Sequence, residues 1–101
     1  MTTIIVLFNL REDADKDAYE NWAKTTDLPT ASKLPSVDKF EVLRTTGLLG
    51  GGDAPYQYIE VLEINDLEQL GKDAATEAMQ QVTAEFVTFA DNPQFILTES
   101  I

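Results

Sequence analysis

Apolar residues recur along this chain at two periods, and the switches between them mark out six main elements. Thr3 to Arg11 (TIIVLFNLR) is rich in β-branched and aromatic residues and reads as a strand. Acidic residues from Glu12 to Asp17 then punctuate the chain, with Asp13 or Asp15 placed to cap a helix. Ala18, Tyr19, Trp22, Ala23 and Thr26 follow on one side at helical spacing. Pro29 should interrupt this helix, leaving Pro29 to Leu34 as a short extra turn ended by Pro35. Val37 to Thr46 alternates as a second strand, Gly47 to Pro55 is a loop, and Tyr56 to Ile64 is a third strand. Asn65 or Asp66 caps a weak helical turn over Leu67 to Lys72. Ala75, Met79, Val82, Phe86 and Phe89 form the stripe of an amphipathic helix, Asp91-Asn92-Pro93 stops it, and Phe95 to Ile101 closes a fourth strand.

The order βαββαβ, with two right-handed crossovers and a central hairpin, predicts an α+β, ferredoxin-like antiparallel sheet with both helices on one face. One set of strand residues holds Val6, Phe8, Phe40, Val42, Tyr58 and Leu62, and the opposite set holds Ile5, Leu7, Leu43, Ile59 and Val61. A sheet with one wet face alternates apolar with polar, yet neither parity of the first or third strand is polar. Leaving five aliphatic side chains wet would forgo roughly 7–15 kcal/mol. That is comparable with the whole stability of a domain, about 5–15 kcal/mol. The economical cover is a second copy packed sheet to sheet, so the expectation is a homodimer through the sheet faces.

Length and charge narrow the partners. The 101 residues fit one domain spanning residues 1–101. The chain has no Cys and no His, which removes thiolate and imidazole chemistry and the commonest metal ligands. No metal or cofactor is expected. Seven basic against eighteen acidic residues give a net charge of −11, and from Thr45 onward Lys72 is the only cation among ten carboxylates. Such a surface repels phosphate backbones and anionic lipid, so neither nucleic acid nor membrane is an expected partner. The run Ile4 to Phe8 is too short to span a bilayer and no basic residue precedes it, which points to a cytoplasmic chain without a signal peptide.

Two motifs invite chemistry and fail. Asp13, Asp15 and Asp17 match three positions of a calcium loop, but Ala18 stands where Gly is needed and Lys24 where Glu is needed. Gly50-Gly51-Gly52 joins two strands rather than a strand to a helix, so no helix dipole is available to hold phosphate. It reads as a flexible hairpin loop, a lid or a dimer-contact arm. The aromatics Tyr19, Trp22, Phe86 and Phe89 are either core or the lining of a cleft for a flat apolar ligand. A symmetric loop places Arg44 opposite Tyr58 and Val42 opposite Glu60. Arg44, Tyr58 and Glu60 then share one face, as an internally satisfied ion pair, an exposed edge or the polar anchor of a pocket. In the pocket case Arg44 would hold an oxygen, Glu60 act as base and Tyr58 donate a hydrogen bond, and these with Asp27 make up nearly all the acid–base apparatus.

The stretch Tyr19 to Phe40 (YENWAKTTDLPTASKLPSVDKF), with its Leu34-Pro35-Ser36-Val37 turn, resembles the first-helix region of the dimeric α/β-barrel superfamily and its EthD-like branch. The whole layout is similar to the RedY-like (HapK) proteins, which accompany biosynthesis of prodigiosin-type tripyrrole pigments. The resemblance implies a homodimer whose sheets form a barrel, with a sheet–helix cleft in each protomer. It also implies a small aromatic or pyrrolic partner. Relatives of this superfamily include cofactor-independent monooxygenases, cyclases, dehydratases, decarboxylases and haem enzymes. Asp27 stands where the EthD-like pattern has His, which sets His-dependent chemistry aside, and a His-ligated haem is excluded. Three functions compete: a cofactor-free enzyme of secondary metabolism, a non-catalytic helper of the same pathway, and a housekeeping barrel protein.

Overall fold

The computed structural model describes residues 2–101. Strand β1 (Thr2–Leu10) leads to helix α1 (Lys16–Trp22), which runs through a wide π turn (Ala23–Asp27) into the short helix α2 (Leu28–Ala31). The hairpin strands β2 (Val37–Arg44) and β3 (Tyr58–Ile64) follow, then helices α3 (Leu67–Ala74) and α4 (Glu77–Phe89) and strand β4 (Ala90–Glu99). The sheet order is β2-β3-β1-β4 with every neighbouring pair antiparallel. This is the ferredoxin-like arrangement that the element order predicts.

Local chemistry sets the element ends. Asp15 caps α1 by accepting from the Ala18 amide, Asp66 caps α3 by accepting from Glu68 and Gln69, and Thr76 caps α4. Pro29 does not break the first helix, contrary to expectation. The Leu28 amide reaches back five residues to the Ala23 carbonyl, and this widened turn gives the proline ring room at the start of α2. Strand β4 also begins earlier than the Asp91-Asn92-Pro93 signal suggests. It starts straight after α4, and a bulge takes up the extra residue where Asn9 pairs with Asp91 and Leu7 with Gln94. Asn92 adopts φ 47° there, a conformation Asn tolerates, and Pro93 lies on an edge strand that lacks a partner on one side.

Register fixes the two faces. Ile4, Val6, Phe8, Phe40, Tyr58, Glu60 and Ile64 point at the helices and are buried. Phe8 is the hub, with its ring stacked 5.6 Å from Tyr58 and edge-on to Tyr19 at 5.6 Å and Phe86 at 5.1 Å. Aromatic pairs of this kind add about 0.5–1.5 kcal/mol each beyond their burial. On the far face Leu43, Ile59 and Leu7 form one cross-strand row, and Val61, Ile5 and Ile96 the next. These six are only half-buried or exposed, Leu43 at 43% and Ile96 at 39%. Among the described residues no helix covers them. Lys39 and Glu41, paired at 3.2 Å, rim this apolar face.

Two backbone hydrogen bonds tie the hairpin loop to itself. The Leu48 amide donates to Gly52 O and the Gly51 amide to Leu48 O. Gly47, at φ 141°, brings its backbone so close to Gly52 O that a β-carbon would approach to 3.2 Å.

Candidate functional site

The two crossovers place two separate clefts between sheet and helices. The first is a cavity of about 270 Å³ whose lining includes Ile4, Phe40, Leu62, Met79, Val82 and Phe86, with Asp27 and Glu60, among the described residues, as its only charged side chains. The π turn carries Asp27 inward to 6% exposure, and the alternation of β3 puts Glu60 on the helix side at 5%. Such wide turns recur at functional sites because they re-aim a side chain that a regular helix would not.

Burial shapes the chemistry of this pair. It pushes the Asp27 carboxyl up to about 6. Glu60 is raised to about 8 by burial first and by the charge of Asp27 second, while the Tyr19 hydroxyl pulls the other way. Tyr19 itself is driven above the usual phenol range by burial, then by Glu60 and Asp27. The Tyr19 hydroxyl and Glu60 Oε2 are both enclosed and lack a hydrogen-bond partner. Near neutral pH the cavity therefore holds one protonated carboxylic acid, Glu60, beside one carboxylate, Asp27. Two carboxyls with separated pKa values are the elements of an acid–base pair.

The second cleft, about 330 Å³ and open to solvent, is lined by Tyr19, Glu20, Lys24, Val42, Arg44 and Tyr58 among others. Arg44 pairs across the strands with Tyr58, as a symmetric hairpin predicts, and Val42 pairs with Glu60. Arg44 grips Glu20 with both arms, Nε to Oε2 at 2.8 Å and Nη2 to Oε1 at 2.7 Å, and the Tyr58 hydroxyl donates to Glu20 Oε2 at 2.6 Å. The Arg44 hydrogen bonds, then that of Tyr58, hold the Glu20 carboxyl down at about 2. Arg44 is raised by the same partner, and Tyr58 is raised by burial first and Glu20 second.

The four polar residues expected to act together thus fall into two groups: Asp27 with Glu60, and Arg44 with Tyr58. The ion pair Arg44 makes is with Glu20, not Glu60. Sequence reasoning missed Glu20; an Arg in a strand demands a carboxylate, but which one depends on how α1 lies over β2. The expected aromatic lining divides too. Phe86 borders the carboxylate cavity and Tyr19 the open cleft, whereas Trp22 and Phe89 border neither. Trp22 instead stacks on Phe86 and donates its indole N–H to Glu85 at 2.7 Å. Among the described residues no group of three or more carboxylates is placed to hold a metal ion, and no helix is long and apolar enough to cross a membrane.

Comparison with known proteins sets this geometry among relatives. The crystal structure of HapK from Hahella chejuensis is 32% identical, covers 100% of this chain and 93% of its own, and superposes with a TM-score of 0.82. SnoaB, a cofactor-independent oxygenase from Streptomyces nogalater, shares the fold at 12% identity, with 98% and 91% of the chains covered and a TM-score of 0.77. A dimeric ferredoxin-like protein from Thermobifida fusca does so at 13% identity, with 98% and 90% covered and a TM-score of 0.77. No curated protein matches the chain. The family model described as REDY-like protein HapK matches residues 2–101, and the chain belongs to that family.

Proposed function

We propose that this protein serves secondary metabolism in the cytoplasm, in the assembly of a prodigiosin-type tripyrrole pigment. It acts as a homodimer whose sheet–helix cavity takes a flat aromatic or pyrrolic intermediate and moves protons on it without a cofactor. The observation that carries this reading is the apolar cavity holding only Asp27 and Glu60 as charged groups. An apolar cavity of about 150 Å³ already accepts a benzene ring, so one of about 270 Å³ has room for roughly two rings.

In a condensation between a carbonyl and an electron-rich ring, Glu60 gives its proton to the carbonyl oxygen as the carbon–carbon bond forms. Asp27 then takes the proton leaving the ring carbon and returns it to the new hydroxyl, which departs as water while Glu60 takes a pyrrole N–H proton, so that the conjugated product forms and both carboxyls are restored. Positioned acids and bases contribute about 10²–10⁴-fold to such steps. The Arg44–Glu20–Tyr58 cluster supports this site from outside, since Tyr58 packs on Tyr19 with ring centroids 4.8 Å apart. The six aliphatics of the bare sheet face, together with the dimeric character of related folds, support the two-fold assembly.

A second reading, a non-catalytic helper, is favoured by Leu48 and Leu49, both exposed at the hairpin tip where a partner enzyme could seat them. Purified protein incubated with a pyrrole aldehyde and a pyrrole nucleophile separates the two. Catalysis requires pigment formation that falls about 100-fold in Glu60→Gln. Binding without acceleration selects a helper that carries the intermediate, and the absence of binding rejects the catalytic reading.

A further inference from the structure

The carboxylate cavity has a chemical asymmetry that goes beyond its fit to a flat ring. Among the described residues it is lined by two carboxyl groups and no cation. Asp27 and Glu60 are each at least nine-tenths buried, and Glu60 Oε2 is enclosed without a hydrogen bond, the Tyr19 hydroxyl being the one donor that faces it. The only other titratable group facing the pair is Tyr19, from α1. β1, β2, α2, α3, α4 and β4 present uncharged side chains to it, among them Ile4, Phe40, Ala31, Leu70, Thr83 and Phe95. A buried carboxylate without a counter-charge is costly, and an apolar wall cannot relieve it. The missing complement is a positive charge or N–H donor on a flat apolar body.

We infer that the cavity selects cationic nitrogen heterocycles, such as a ring held as its iminium or protonated form, over neutral rings of the same shape. This rests on the reading that the sheet–helix cavity is the ligand site, and it names the charge state of the ligand.

The selection works through both carboxyls. Well below pH 6 both are protonated and the cavity treats a ring as an apolar body. As pH rises Asp27 ionises first and Glu60 second, each step adding one negative charge beside the ligand. A bound cation stabilises the ionised form of Glu60 and draws off its proton. Glu60, with a pKa of about 8, is roughly nine-tenths protonated at pH 7. Binding of a permanent cation at that pH therefore releases close to one proton per protomer.

The test is calorimetric titration of the whole protein with N-methylquinolinium and with its neutral isostere 1-methylnaphthalene. It is run at pH 6, 7 and 8.5 in two buffers of different ionisation heat. The cation should bind at least tenfold more tightly than the isostere at pH 8.5, the preference should shrink by pH 6, and proton release should approach one at pH 7. Glu60→Gln should abolish the proton release, and Asp27→Asn should reduce the preference for the cation. Equal affinity for the two probes at every pH overturns charge selection and leaves the cavity reading standing. If neither probe binds, both fall. Preference for the cation that persists unchanged in the Asp27→Asn, Glu60→Gln double variant also overturns the inference, since the charge would then be read elsewhere.

Discussion

Replacing Glu60 with Gln keeps the shape of a buried side chain and removes its titration, so the variant isolates what one carboxyl costs this fold. Glu60 titrates near 4.5 when exposed and at about 8 in the folded protein. Because its folded pKa is raised, the protonated form favours the folded state. That contribution is complete below pH 4.5, shrinks as pH rises between the two values, and is gone above pH 8. Between pH 5 and pH 8.5 the loss integrates to nearly three pKa units, or about 4 kcal/mol at 1.36 kcal/mol per unit. Gln does not ionise, so the variant escapes this loss, while Asp27 and the surface carboxylates titrate in both proteins. Urea denaturation at one fixed protomer concentration, at pH 5, 7 and 8.5, measures the difference. The wild type should lose about 4 kcal/mol relative to Glu60→Gln across that range. Stability curves that run parallel to within about 1 kcal/mol would show that Glu60 ionises freely in the native protein, and the acid–base assignment would fail with it.

The bare sheet face makes a second prediction: Ile59→Lys, at the centre of the Leu43–Ile59–Leu7 row, should convert a dimer to monomers at micromolar concentration in light scattering, with little change in circular dichroism. Arg44→Ala should leave ligand affinity in the carboxylate cavity within threefold by calorimetry, because Arg44 lines the other cleft and is spent on Glu20. Asn92→Val, at φ 47°, should destabilise the fold by about 1–2 kcal/mol in denaturant titration, whereas Asn92→Gly should not.

Much of the fold was legible because it depends on local periodicity. The alternation of β1 and β3 fixed which residues share a face, and the symmetric hairpin gave the pairs Arg44–Tyr58 and Val42–Glu60. Asp15 and Asp66 capped helices as their positions suggest. The misses lie where tertiary context overrides a local signal. Pro29 is absorbed by a π turn that no helical spacing announces, and the same turn is what buries Asp27. The Asp91-Asn92-Pro93 stop became a bulge inside β4, because a left-handed Asn and an edge-strand Pro cost an antiparallel pair little. Residue types alone marked Asp27, Glu60, Arg44 and Tyr58 as candidates for chemistry. Their separation into two clefts depends on the path of α1 across the sheet, and Glu20 stayed hidden for the same reason. Trp22 fits a helical apolar stripe, yet its neighbours Phe86 and Phe89 enclose it away from the cavity.

A flat ligand seated between sheet and helices, beside Asp27 and Glu60, touches a set of methyl groups that no other site shares. Methyl-resolved NMR of the labelled protein during titration with a bipyrrole aldehyde measures this directly. Shifts should concentrate on Ile4, Leu62, Leu70, Met79 and Val82, all of which line that cavity. Shifts confined to Ile5, Ile59 and Val61 on the opposite sheet face, or no shifts at saturating ligand, would contradict it.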